Sequence, residues 1–145
     1  MKTYTVRCAG KELPVHEVTV SAMPFNRVWA GVQRAKDQTE PAYFVTVDAE
    51  GPVTLEISVA EGFESYELRP RAYDLHAVRS GNTVTLTADG PMQFSFEPDD
   101  FHHALHVFVN PVSVRPQGDI IYYGPGVHTA GLIWLESGRT LYLDE

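Results

Sequence analysis

Between Val53 and Val59 every second side chain is aliphatic, with Val53, Leu55, Ile57 and Val59 alternating with Thr54, Glu56 and Ser58. A period of two predicts a strand with one buried face. Thr83 to Thr87 repeats the pattern more weakly, and further β-rich runs fall at Ala42 to Val47, Tyr66 to Arg69, Met92 to Phe96 and Leu105 to Val109. At the start, Thr3 to Cys8 alternates, Gly10-Lys11 reads as a turn, and Leu13 to Val20 carries Val15, Val18 and Val20, predicting a first hairpin. Turn signals at Glu50-Gly51-Pro52, Glu61-Gly62, Ser80-Gly81-Asn82 and Asp89-Gly90-Pro91 recur at intervals of about ten residues, as in a sandwich or barrel. No segment sustains a helical period. The expected fold is all-β: an antiparallel β-sandwich of Ig-like or jelly-roll type over residues 1–112, with roughly seven to nine strands.

Two stretches depart from a simple meander. Met23 to Pro41, with Phe25 and Trp29 among polar residues, reads as a long ordered crossover. After Asn110-Pro111 and Pro116-Gln117-Gly118 the chain changes character, and residues 113–145 form a linker and a set of short β segments. There Ile133 and Leu135 alternate with Trp134, and Leu141 and Leu143 with Tyr142. A two-residue apolar face cannot be buried by one short strand alone, which is the logic of a stacked coil in a solenoid. Ile133, Trp134, Leu135, Leu141 and Leu143 are therefore expected to form an interdomain or self-association surface, with Trp134 turned outward from the coil.

The 145 residues suit one domain, long enough to bury roughly 70% of the surface of the unfolded chain. No apolar run approaches the roughly 20 residues of a membrane-spanning helix, so no membrane partner is expected. Eleven Lys and Arg against 19 Asp and Glu give a formal charge of −8, which repels a phosphate backbone and argues against nucleic acid. The single Cys8 forms neither an internal disulfide nor a Cys-rich zinc site. Met1 to Val6 has no apolar signal-peptide core, so the chain as written is expected to be cytoplasmic.

The run Tyr122-Tyr123-Gly124-Pro125-Gly126-Val127-His128, followed by Leu135-Glu136-Ser137-Gly138-Arg139-Thr140-Leu141-Tyr142-Leu143-Asp144-Glu145, resembles the entry to the right-handed parallel β-helix of polygalacturonase-like glycoside hydrolases, especially family 28. Pro24 to Trp29 and Ala104 to Pro111 resemble the N-terminal β-sandwich that precedes the helix in many bacterial members, and family 49 proteins begin similarly. The resemblance implies a non-catalytic domain that caps and supports a downstream β-helix catalytic domain acting on plant polysaccharide of the pectin type. It assigns no catalytic residue, since the aspartates of that family lie on middle coils that nothing here matches. Its expected partners are that β-helix domain, a second copy through the tail, and an oligosaccharide.

Other constellations have plainer readings. Glu97, Asp99 and Asp100 around Pro98 suggest a carboxylate pair for glycoside hydrolysis, yet adjacent acids at a proline turn lack the apolar surroundings that raise one pKa, and a solvated acidic turn is the stronger reading. His102, His103 and His106 near Asp99 invite a metal. On a strand His102 and His106 share a face while His103 points away, so hydrogen-bonded histidines are expected, with no metal and no cofactor. Gly124-Pro125-Gly126 lacks the lysine and helix of a phosphate loop. Among Trp29, Tyr43, Tyr66, Tyr73 and Trp134, the best sugar-stacking candidates are Trp29 and Tyr73, which lie in irregular segments; the alternative function is thus a carbohydrate-binding module using them.

Overall fold

Val53–Val59 is a strand whose Leu55, Ile57 and Val59 are completely buried while Thr54 and Glu56 face solvent. Around it the computed structural model, which describes residues 2–22 and 36–144, builds an all-β chain in two units, residues 1–112 and 113–145. The strands are β1 Tyr4–Cys8, β2 Lys11–Leu13, β3 His16–Ser21, β4 Thr39–Ala49, β5 Val53–Val59, β6 Tyr66–Arg69, β7 Ala77–Ser80, β8 Thr83–Ala88, β9 Met92–Pro98, β10 Leu105–Pro111, β11 Ile120–Tyr123 and β12 Thr140–Leu143. The first unit is a sandwich of two five-stranded sheets, ordered β2-β1-β5-β8-β7 and β3-β4-β10-β9-β6.

The inward phases of the two sheets supply one core. Val6, Leu55, Ile57 and Val84 come from the first sheet and Val45, Phe96, Leu105 and Val107 from the second, all fully buried. At one end Phe96 meets the rings of Tyr4, Phe63 and Tyr66 at centroid distances of 6.3, 5.6 and 5.7 Å. The Tyr4 hydroxyl donates to the carbonyl of His103 at 2.7 Å, tying the N-terminal strand to the turn before β10.

Four expectations for this unit need correction. Leu13 to Val20 is not one strand: Pro14, with no N–H for a ladder, separates β2, which pairs with β1, from β3, which pairs with β4 in the other sheet. The hairpin turns on Ala9-Gly10 rather than Gly10-Lys11, with φ of 49° and 76° at its two central residues, as a type I′ turn requires. The sandwich is not wholly antiparallel. β10 runs parallel to β4 from Leu105 opposite Tyr43 to Pro111 opposite Ala49, and ten strands are formed among the described residues of this unit. The additional short strand β7 carries no buried side chain, so it lacks the alternation that reveals a strand.

In the second unit β11 and β12 pair in parallel, Ile120 opposite Thr140 through Tyr123 opposite Leu143, so the chain returns in register after one turn of twenty residues. Tyr122 stacks on Tyr142 at 6.0 Å and 13°, and the Arg115 guanidinium lies 3.9 Å from the Tyr122 ring centre. Arg139 Nε donates to Asp119 at 3.1 Å and the Tyr122 hydroxyl to Asp144 at 2.6 Å, pinning both ends of the pair. Gly131 to Leu135 is not a strand, because among the described residues nothing offers it a ladder partner. Ile133 and Leu141 are half-buried, while Trp134, Leu135 and Leu143 are 77%, 53% and 67% exposed.

Candidate functional site

A sheet with one buried face should be polar on the other, and the sheet β3-β4-β10-β9-β6 is not. One transverse row of its outer face runs His16, Phe44, His106, Ser95, Arg69, each opposite the next on the neighbouring strand. His16 stacks on Phe44 at 4.9 Å and 22°, and Phe44 meets the edge of Phe108 at 6.3 Å. Phe108, half-buried, stands opposite Gln93. Two phenylalanines thus occupy the polar phase of central strands, where each leaves apolar surface uncovered.

Beside them lies a cluster of opposed charges. Arg69 donates through Nε to Glu97 at 2.9 Å and its Nη2 forms an ion pair with Glu67 Oε2 at 2.5 Å; Arg71 donates to the other Glu67 oxygen at 2.6 Å. Ser95 Oγ donates to Glu97 at 2.7 Å, so Glu97 accepts from both sides. A depression of about 570 Å³ is lined by Arg69, Arg71, Gln93, Ser95, His106 and Phe108. A second, of about 300 Å³, is lined by Arg69, Glu67, Glu97 and Phe101, the last 60% exposed.

The acidic turn has a definite structural task beyond solvation. Asp99 adopts φ 69° and accepts from the backbone N–H groups of Glu64 and Ser65 at 2.7 and 3.2 Å, and from Lys2 Nζ at 2.7 Å. The Lys2 hydrogen bond, with the two backbone donors behind it, holds the carboxyl down at about 2. Asp99, held ionised in this way, is not placed to serve as a protonated general acid. Because the folded pKa lies below the unfolded aspartate value of about 3.9, the stabilisation from Asp99 is fully present above that value and is lost as pH falls toward 2. Tyr4 has the opposite sense: burial raises its phenol, so its contribution is full below about 10, the unfolded value, and fades as pH climbs through the raised one. Urea midpoints measured from pH 2 to 7 should fall on the acid side, and Asp99→Asn should flatten that fall; an unchanged acid limb in the variant contradicts the assignment.

The histidines separate. His102 Nδ1 bonds Glu40 at 2.7 Å and His103 Nδ1 bonds the Pro41 carbonyl at 2.9 Å, both from the turn before β10, while His106 alone lies on the strand and is exposed. They are not three members of one strand, since the chain is still turning at His103, φ 57°. Among the described residues no three His, Cys, Asp or Glu side chains form a metal-sized group, and no helix is long and apolar enough to cross a membrane. Of the aromatic candidates, Trp29 lies outside the described residues, and Tyr43 and Tyr66 point inward against Tyr4 and Phe96. Tyr73 sits 47% exposed in the 3-10 turn Arg71–Tyr73. Phe44 and Phe108 were legible as aromatics in the wrong phase of their strands, a signal the sequence reading did not use.

No family model matches the chain, and no curated protein matches it. A solved structure does. The chain is similar to Dex49A from Penicillium minioluteum, with a TM-score of 0.52 and 12% identity, over 86% of this chain and 32% of that one. At that identity the likeness speaks for the fold. The share of this chain exceeds what residues 1–112 alone provide, so the match extends into the C-terminal unit. This chain spans about a third of the length of that structure.

Proposed function

We propose that this chain is the N-terminal β-sandwich and first β-helix coil of a polysaccharide-acting glycoside hydrolase, serving as a non-catalytic cap and support for the coils that do the chemistry. One observation carries the reading: β11 and β12 pair in parallel and in register one twenty-residue turn apart, with like residues Tyr122 and Tyr142 stacked. That is the repeating unit of a parallel solenoid, and a coil whose apolar residues stay exposed is completed by another coil. The resemblance of the tail to family 28 supports the reading, and the fold-level likeness to Dex49A is compatible with it. On the resemblance, the proposed substrate of the parent is polysaccharide of the pectin type. A cap is useful because the end of a β-helix presents unpaired backbone and an apolar cross-section that would otherwise template pairing between molecules.

The test is made on the purified chain. Light scattering behind size exclusion should show concentration-dependent association, weakened by Leu141→Asp and Leu143→Asp together, and incubation with dextran and polygalacturonate should release no reducing sugar. A monomer at every concentration argues against the open coil, and sugar release overturns the non-catalytic role.

A further inference from the structure

The two depressions on the outer face share Arg69 as a wall, with Phe108 lining one and Phe101 the other. Between the two rings lies the Arg69, Arg71, Glu67, Glu97 cluster, whose two positive and two negative charges cancel. An arginine has five N–H donors; Arg69 donates one of them to Glu97 and forms an ion pair with Glu67. The cluster therefore sets the remaining arginine N–H donors beside carboxylate acceptors. A vicinal diol, in which every hydroxyl both donates and accepts, matches that arrangement. An anionic ligand meets Glu67 and Glu97 as well as the two arginines, with no net charge to favour it, and an apolar surface laid over the cluster would strip water from four charges without replacing its hydrogen bonds. Phe108 adds what a sugar ring needs beneath its C–H face, and Gln93 opposite it adds an amide with both polarities.

We infer that this groove binds a neutral oligosaccharide, one pyranose ring lying on Phe108, its hydroxyls on the Arg69 to Glu97 pair and on Gln93, and the chain running toward Phe101. The site rests on the reading of a polysaccharide-associated domain above but departs from its pectin-type substrate, since the ligand it fits is uncharged. The open groove sets the expected dissociation constant at about 1 mM, the range of a few hydrogen bonds and one stacked ring.

The experiment titrates isomaltotriose, cellotriose and, as the anionic counterpart, trigalacturonate into the labelled full chain, following amide shifts. The expected result is saturable shifts at Gln93, Ser95, His106 and Phe108 with a neutral trisaccharide. Phe108→Ala should weaken binding about tenfold, roughly the upper worth of one stacked ring. Gln93→Ala, at an exposed position whose loss leaves the core untouched, should also weaken it severalfold. Absence of saturation with both neutral sugars, tighter binding of trigalacturonate, or shifts confined to Tyr73 or the tail overturns the site. The association and sugar-release results address the cap separately, so a silent titration beside an associating, inactive chain removes the groove alone.

Discussion

Phe96→Ala is expected to lower the unfolding free energy by about 3–5 kcal/mol, the range for truncating a fully buried phenylalanine. Phe96 has no exposed surface and fills the space between the sheets where Tyr4, Phe63 and Tyr66 converge edge-on or tilted. These neighbours come from β1, the β5–β6 connection and β6, so their collapse into the hole is opposed by three separately anchored backbones. Against a total of about 5–15 kcal/mol for a domain, the loss is enough to leave a measurable unfolded fraction in water. Equilibrium guanidinium denaturation reads it directly, and Phe96→Leu, which keeps most of the volume, should cost about 1.5 kcal/mol or less. A cost under about 1 kcal/mol for the alanine variant, well below the core range, means that the aromatic cluster is not packed as described.

Arg79→Ala is the second large effect, at about 2 kcal/mol, from charge-assisted bonds discounted for exposure and from a ring contact. From the edge strand β7 its guanidinium donates to the carbonyls of Phe63, Glu64 and Gly81 and lies 4.1 Å from the Phe63 ring centre. One side chain thereby ties the β5–β6 connection to the β7–β8 turn, where Gly81 holds φ 59°. Arg79→Lys keeps the charge but not the fork, and should recover less than half of the loss. The same denaturation series measures both; a lysine variant as stable as the parent would reduce Arg79 to a surface charge.

What the sequence disclosed follows from where alternation is strong. Val53–Val59 was readable to the residue because all four inward positions are aliphatic and all three outward ones polar. The same reasoning missed β7, whose side chains are all at least partly exposed and whose stability comes from Arg79 and from pairing with β8. It merged β2 with β3 because both sides of Pro14 alternate. The parallel sense of β4 and β10 leaves no trace in either strand, since inward and outward phases look the same in both directions. The outer-face groove was hidden for a related reason: Arg69, Ser95, His106 and Phe44 lie far apart in the chain and become neighbours only through a register that no local pattern encodes. In the tail the alternation at Ile133–Leu135 and Leu141–Leu143 pointed to two strands, of which the second alone is one among the described residues; its partner Ile120–Tyr123, twenty residues earlier, carries a similar pattern that the alternation did not single out.

The place of β10 in its sheet also bears on how the protein is made. It lies between β4 and β9, yet it is the last strand of the sandwich to be synthesised, and in the ladder of the described strands it is what joins β3-β4 on one side to β9-β6 on the other. Until Leu105–Pro111 has left the ribosome the second sheet exists as two separate hairpin-like halves with open inner edges. Closing it then requires contacts that span more than half the sandwich in sequence, a slow step by topology. A nascent chain halted before residue 105 is therefore held with both halves of its sheet exposed, and the seven residues that follow seal them at once.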